Sequence, residues 1–227
     1  MILHLQNLLS KEEVRRARAL LDAAPWEDGR HTAGEQAAQV KNNLQLPEQC
    51  EAARTVRELV LYALKRHERF FSAALPKKIS PPMFNCYGGG ANYFDKHVDS
   101  AVRFVDHNEG VRTDLSCTLF LSEPDEYDGG VLEIEDSLPA HSVKLAAGDM
   151  VLYPASTLHG VTPVTRGKRI CSFFWIESMV REGERRQLLH GMDLNLMRLR
   201  STVGETDPAV VGLTSTYHNL LRMWAET

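Results

Sequence analysis

The sequence predicts an α+β chain in which a sandwich or jelly roll of short strands lies between an N-terminal helical region and a C-terminal helical extension. Two observations carry this. From about Ile79 to Ser178, runs rich in Val, Leu, Ile, Phe and Thr alternate with turn signals, whereas the segments before and after repeat apolar residues near a period of 3.6. The strand runs also follow one another too closely to hold crossover helices, which excludes alternating βαβ units.

Each element follows from local chemistry. Ser10 and Glu13 form a capping box, each side chain satisfying the other's free backbone N–H, and Val14, Ala17 and Leu21 then recur at helical spacing. Val56, Leu59, Val60, Ala63, Leu64 and Phe71 make a second helical pattern, which Pro76 ends. Between them, residues 28–47 (DGRHTAGEQAAQVKNNLQLP) are polar and weakly periodic, with Gly29 and Gly34. A loop of that length inside a compact domain is generally functional or mobile, and a plain surface connection is the alternative. Strands are expected near 82–88, 92–98, 114–122, 130–135, 141–146, 149–154, 158–164 and 168–177. They are punctuated by Gly88-Gly89-Gly90, Asp128-Gly129-Gly130, Gly148-Asp149 and Arg166-Gly167. From about Met179 the chain returns to helix, with a break at Gly204 to Pro208 before the amphipathic TSTYHNLLRMWAET. The division expected is therefore 1–76, 77–178 and 179–227. Leu220, Leu221 and Trp224 either form a seam between two copies in a homodimer or pack onto the chain's own β-core.

Composition narrows the function classes. The 227 residues suit one sizeable domain, and a net charge of −4 with interspersed signs gives no basic face for nucleic acid. No apolar run approaches membrane-spanning length. MILHLQNLLSKEEVRR has neither a basic start nor a small-residue cleavage site, so it reads as the start of the fold rather than a signal peptide. Cys50, Cys86, Cys117 and Cys171 are scattered, with no CxxC pair to hold structural zinc or a redox dithiol. They suit small buried hydrophobes in a reducing cytosol, and a cytoplasmic protein is expected.

The chemistry-bearing residues gather around His97. On a strand, His97 and Asp99 share one face while Val98 takes the other, which offers an imidazole and a carboxylate to a single metal. His-x-Asp by itself carries little weight: with nine histidines and 30 acidic residues, about one His-x-Asp/Glu match arises by chance. A second match, His107-Asn108-Glu109, sits in the polar VDHNEGVR and reads as a solvated loop. His159, at the start of an apolar strand, supplies a third ligand, against the alternative of a hydrogen-bonded core histidine. Arg169 opens RICSFFWIES, and an arginine entering such an apolar run is costly to bury without an anion, the alternative being a surface arginine at a strand end. Two histidines and a carboxylate make the facial triad of non-haem iron(II) oxygenases. Three positions stay open for a 2-oxo acid and O2. A guanidinium such as Arg169 can grip the far carboxylate of 2-oxoglutarate through two parallel hydrogen bonds, and the Tyr87 phenol can add a third.

The stretches DGRHTAGEQAAQVKNN, LPKKISPPMFNCYGGG, HVDSAVR, RTDLSCTLFLSEPDEYDGG, VKLAAGDMVLYPASTLHGVTPVTRGKR, SFFWIESMVR and YHNLLRMW span nearly the whole chain. Together they resemble the iron(II)- and 2-oxoglutarate-dependent dioxygenases, most closely the bacterial PKHD-type hydroxylases, named for likeness to prolyl and lysyl hydroxylases. The resemblance implies a double-stranded β-helix, a cupin-like jelly roll, with helices packed outside. It implies that His97, Asp99 and His159 bind Fe(2+), that Arg169 binds 2-oxoglutarate, and that Tyr87, ten residues before His97, is the co-substrate tyrosine. It also implies hydroxylation of a C–H bond with release of succinate and CO2, and it brings L-ascorbate as a reductant for over-oxidised iron. Departures such as Cys86 fall at non-liganding positions. Lys41, Asn42, Asn43 and Gln45 are expected to line the entrance for the substrate, a small molecule or a protein side chain. Two rivals remain at this level: a metal-dependent cupin with other chemistry, and a non-catalytic sensor of iron or 2-oxoglutarate.

Overall fold

In a computed structural model that describes residues 1–32, 34–105, 109–136 and 139–227, the strands form two main antiparallel sheets. The larger has eight strands. Its order is Leu3–Leu5, Met150–Pro154, Leu115–Phe120, Arg169–Ser178, Met83–Tyr87, Leu44–Gln45 and Glu27–Asp28, with Pro76–Ile79 pairing the far end of Arg169–Ser178. The smaller has five: His141–Val143, Leu132–Glu135, Leu158–Val161, Tyr93–His97 and Lys41–Asn42. Two ribbons complete the set, Tyr127–Gly129 with Val164–Gly167 and Val102–Phe104 with Gly110–Arg112. The structure thus has the expected jelly-roll core.

The two-residue period of a strand sorts the larger sheet into two faces. Phe84, Cys86, Cys117, Leu119, Met150, Leu152, Ile170, Phe174 and Ile176 pack outward with Val14, Ala17 and Leu21 of helix Lys11–Asp22 and Val56, Val60 and Ala63 of helix Glu51–Arg66. Their alternates Asn85, Tyr87, Ser116, Thr118, Tyr153, Arg169, Phe173 and Trp175 turn inward and line one cavity. Leu115–Phe120 is buried at all six positions because both its faces are covered. One face holds the fold together and the other carries nearly all the polar groups.

Several expectations are corrected. The N-terminal region opens on a strand, Leu3–Leu5, paired with Met150–Pro154. The capping box is as expected, Glu13 N–H donating to Ser10 Oγ and Ser10 N–H to Glu13 Oε2. The second helical pattern is two helices, Glu51–Arg66 and Glu68–Ala74, broken at His67, whose Nδ1 accepts from Phe70 N–H. After that break Phe70 is buried and Phe71 is 52% exposed. Residues 28–47 are not a plain loop. They hold a 3-10 turn at Gly29–Thr32, a helix at Glu35–Val40 and the strands Lys41–Asn42 and Leu44–Gln45. These two strands belong to different sheets, so the segment crosses from one to the other. The strand after His159 stops at Val161, before Pro163. His107 and Asn108 of the chance metal motif lie outside the described residues.

All four cysteines are free, and Cys86, Cys117 and Cys171 are buried. Helices Gly183–Val203 and Pro208–Trp224 pack through Leu189, Leu196 and Tyr217 onto Leu75 and Val180, and Asp207 caps the second of them. Leu220, Leu221 and Trp224 join this cluster, partly buried, rather than the β-core. No helix among the described residues is long and apolar enough to cross a membrane.

Candidate metal centre and co-substrate pocket

His97 closes strand Tyr93–His97 and lies directly across from His159 in the antiparallel register, the ring centroids 4.4 Å apart. Gly160 permits this approach: a Cβ there would sit 2.9 Å from the Phe94 carbonyl oxygen and 3.1 Å from the Lys96 nitrogen. Any side chain at Gly160 would push the two histidine strands apart. Asp99 lies two residues past His97 but just beyond the strand, which ends at His97. The two ligands therefore share a side without sharing a strand. One ligand atom from each of His97, Asp99 and His159 falls within 4.8 Å of the others, the one such grouping among the described residues.

The surroundings orient all three. His97 Nδ1 lies 2.9 Å from the Asp95 carbonyl and His159 Nδ1 lies 3.0 Å from the Thr157 carbonyl. A carbonyl only accepts, so Nδ1 carries the proton in each ring and the Nε2 lone pair is left free. His159 Nε2 points at Asp99 Oδ2, 3.8 Å away. Ser116 Oγ donates to that same oxygen from the floor of the larger sheet. Phe94 stacks on His97 at 3.6 Å and Tyr153 meets His159 edge-on at 5.1 Å. Burial, with His159 alongside, holds the His97 imidazole well below its usual range and keeps it neutral, the form a metal needs. The donor set, two neutral imidazoles and a carboxylate with one open side, fits iron(II).

Arg169 lies at the deep end of the same cavity, paired across the strands with Tyr87. Both are 1% exposed. The guanidinium is 5.2 Å from the Tyr87 ring and 5.1 Å from the Phe120 ring, yet its Nε and Nη2 have no hydrogen-bond partner. Asn85 Oδ1 and the Tyr127 hydroxyl are buried and unpartnered as well. Gly130, at φ +62°, makes room for this corner: a Cβ there would lie 2.9 Å from the Tyr127 ring and 3.0 Å from Arg169 Cδ. A buried cation without an anion costs several kcal/mol, on the order of what an ion pair at such depth has to offset. No carboxylate among the described residues meets these donors. Burial pushes the Tyr87 phenol up to about 12, against the pull of Arg169, so it stays a neutral O–H donor.

The expected entrance residues divide. Lys41 and Asn43 line the cavity, and both atoms of the buried Asn43 amide are unpartnered. Gln45 is buried behind them, accepting from Lys41 Nζ at 3.1 Å. Asn42 is a correction: it alternates to the other face and donates to the Gly90 carbonyl. Four residues of the site escaped sequence reading: Asn85, Ser116, Tyr127 and Arg103. Alternation with Tyr87 could have found Asn85, and the DGG turn after Tyr127 marks a tight corner. Nothing local identifies Ser116 or Arg103.

Known proteins resemble the chain in both sequence and fold. The 2OG-Fe(II) oxygenase superfamily profile matches residues 82–177, and that of the PKHD-type hydroxylase C-terminal domain matches residues 184–226. A PKHD-type hydroxylase of Variovorax paradoxus is 61% identical over 227 residues, covering all of both chains. One of Phenylobacterium zucineum is 56% identical, again over the full length of each. Among solved structures, a Pseudomonas putida prolyl-4-hydroxylase is similar in fold, with a TM-score of 0.52 and 22% identity over 78% of this chain and 92% of that one. Streptomyces hygroscopicus HygX, solved with nickel, 2-oxoglutarate and hygromycin B, has a TM-score of 0.51 and 12% identity over 76% and 81% of the two chains.

Proposed function

The chain belongs to the PKHD-type hydroxylases of the 2OG-Fe(II) oxygenase superfamily, and from that premise we propose that His97, Asp99 and His159 hold its iron(II) while Arg169 and Tyr87 hold the far carboxylate of 2-oxoglutarate. It is an iron(II)- and 2-oxoglutarate-dependent dioxygenase. Whole-length kinship with hydroxylases sets aside the sensor and the other cupin chemistries. Iron(II) with 2-oxoglutarate supplies the power to turn a substrate C–H into C–OH, consuming O2 and releasing succinate and CO2. The protein's share is positional: neutral imidazoles fixed by main-chain carbonyls, a carboxylate steadied by Ser116, and a deep cation that sets which way the co-acid lies.

The observation that carries the residue assignment is Arg169, buried beside Tyr87 with Nε and Nη2 unpartnered, at the end of a cavity whose wall holds the His-Asp-His group. Anaerobic addition of iron(II) and 2-oxoglutarate to the metal-free protein tests it. A visible charge-transfer band is expected, lost in His97→Ala and Arg169→Ala. No band from the intact protein sinks the assignment.

The chemistry belongs to residues 77–178, with 1–76 supplying the mouth and 179–227 a helical annex. Lys41 and Asn43 contact substrate. Ascorbate serves as the reductant, tested by its effect on turnover number. The protein is cytoplasmic and pairs through exposed parts of the C-terminal helices, tested by light scattering.

A further inference from the structure

Arg169 has a use in the co-substrate, whereas two other cations on the same cavity have none. Lys41 and Arg103 line it on the side of Thr32 and the exposed Gly34, away from the deep corner. Thr32 ties the two together. Its hydroxyl accepts from Lys41 Nζ at 3.1 Å and its carbonyl accepts from Arg103 Nη1 at 3.3 Å. Lys41 is 7% exposed, 5.5 Å from the centre of the Phe94 ring, and the ring of Trp175 lies 4.6 Å from the Arg103 guanidinium.

Neither cation forms an ion pair among the described residues. The carboxylates that act on them through space are Asp28, Asp99 and Glu48. Asp28 is taken by Arg30, and Asp99 by Ser116 and by the metal on the reading above. Burial pushes the Lys41 ammonium down to about 8, and Arg103 adds to that push. Two partly dry like charges tied to one threonine repel each other, and an anion between them relieves both terms. The co-acid cannot be that anion, since its two ends are committed to the metal and to Arg169.

We propose that Lys41 and Arg103 form a receptor for an anionic group on the substrate, a carboxylate or a phosphoryl group, with Trp175 as the apolar wall beside it. The proposal rests on the cavity being the active site. It narrows the substrate to molecules that carry such a group close to the carbon being hydroxylated.

The test uses the full chain saturated with nickel(II) and 2-oxoglutarate, which fills the Arg169 corner and blocks turnover. Calorimetry first measures 2-oxoglutarate binding, so that failure of the co-substrate assignment shows there, separately. Benzoate and phenyl phosphate are then compared with neutral benzamide. At least one anion is expected to bind about tenfold or more tighter than benzamide, the scale of one charge-assisted hydrogen bond; which of the two leads identifies the group. The preference is expected to fall to near unity in Arg103→Gln, to fall in Lys41→Met, and to survive in Arg103→Lys. Binding of 2-oxoglutarate stays unchanged in all three variants. Anions that bind no better than benzamide, or a preference that persists in both Arg103→Gln and Lys41→Met, overturn the proposal.

Discussion

The two ends of the cavity are built on opposite principles. At the deep end, Arg169 and Tyr87 come from adjacent central strands of the larger sheet, both almost fully buried, and Arg169 Nε and Nη2 find no partner among the described residues. At the mouth, Lys41 and Arg103 come from a two-residue edge strand and an outlying ribbon, and a threonine from a third segment links them. Central strands are held by ladder bonds on both sides and a packed core. Edge segments keep fewer such constraints. On the proposed assignment, the difference teaches that the co-acid is met by the most constrained part of the fold and the substrate by edge segments with fewer constraints.

Substitutions at five residues break or sharpen that contrast. The largest effect belongs to His97→Ala, which disables both ends because both serve one metal. Hydroxylation should fall by roughly a thousandfold or more with loss of bound iron, measured by turnover and metal analysis. Retained iron and rate would separate the metal from this cavity. Next is Arg169→Ala, which should act on the deep end alone. It should weaken 2-oxoglutarate by about a hundredfold, as expected for breaking a buried charge pair, while leaving iron content intact; Arg169→Lys should recover part of this.

A smaller step is expected from Tyr87→Phe and Tyr127→Phe. Each removes one hydroxyl from that corner, and the KM for 2-oxoglutarate should rise about tenfold for Tyr87→Phe. The Tyr127 hydroxyl is buried and unpartnered beside Arg169, so a comparable rise there would make it part of the co-acid site, and no change would confine it to packing.

The smallest effect lies outside both ends. Arg66 and the capping bonds with Ser10 hold the Glu13 carboxyl down to about 2 from 4.5. Glu13→Gln should cost about 1 kcal/mol, from weakening the charge-assisted bonds from Ser10 N–H and Arg66, the latter screened by solvent because the Arg66 side chain is 41% exposed. A carboxylate with a depressed folded-state pKa stabilises above its unfolded value. The difference between wild type and variant should therefore be full above about pH 4.5 and vanish as pH falls toward about 2. Chemical denaturation at pH 7 and pH 2.5 measures it, and activity per folded molecule should not change.

Legibility in the sequence followed the range of the interaction. The Ser10–Glu13 box spans three residues and was readable outright. The His97, Asp99, His159, Arg169 and Tyr87 set was readable as residue types at characteristic separations, because metal and co-acid chemistry allow few alternatives. Residues 28–47 misled because their regular pieces are only two to six residues long, too short to express a period, and their order comes from pairing with strands about forty to fifty residues away. Asn42 was grouped with its neighbours for the same reason. Adjacency in sequence hides the alternation that turns it toward Gly90.

The sequence by itself determined the strand-rich core between helical regions, and it singled out His97, Asp99 and His159 as candidate ligands and Arg169 as a candidate partner for an anion. Those follow from periodicity, donor type and the cost of burying a charge, all properties of short windows. Only the tertiary structure decided that Gly160 lets His97 meet His159, that Ser116 steadies Asp99, and that Thr32 draws Lys41 and Arg103 to one wall. Those contacts join segments distant along the chain, and their worth depends on distance and desolvation, which no local pattern encodes.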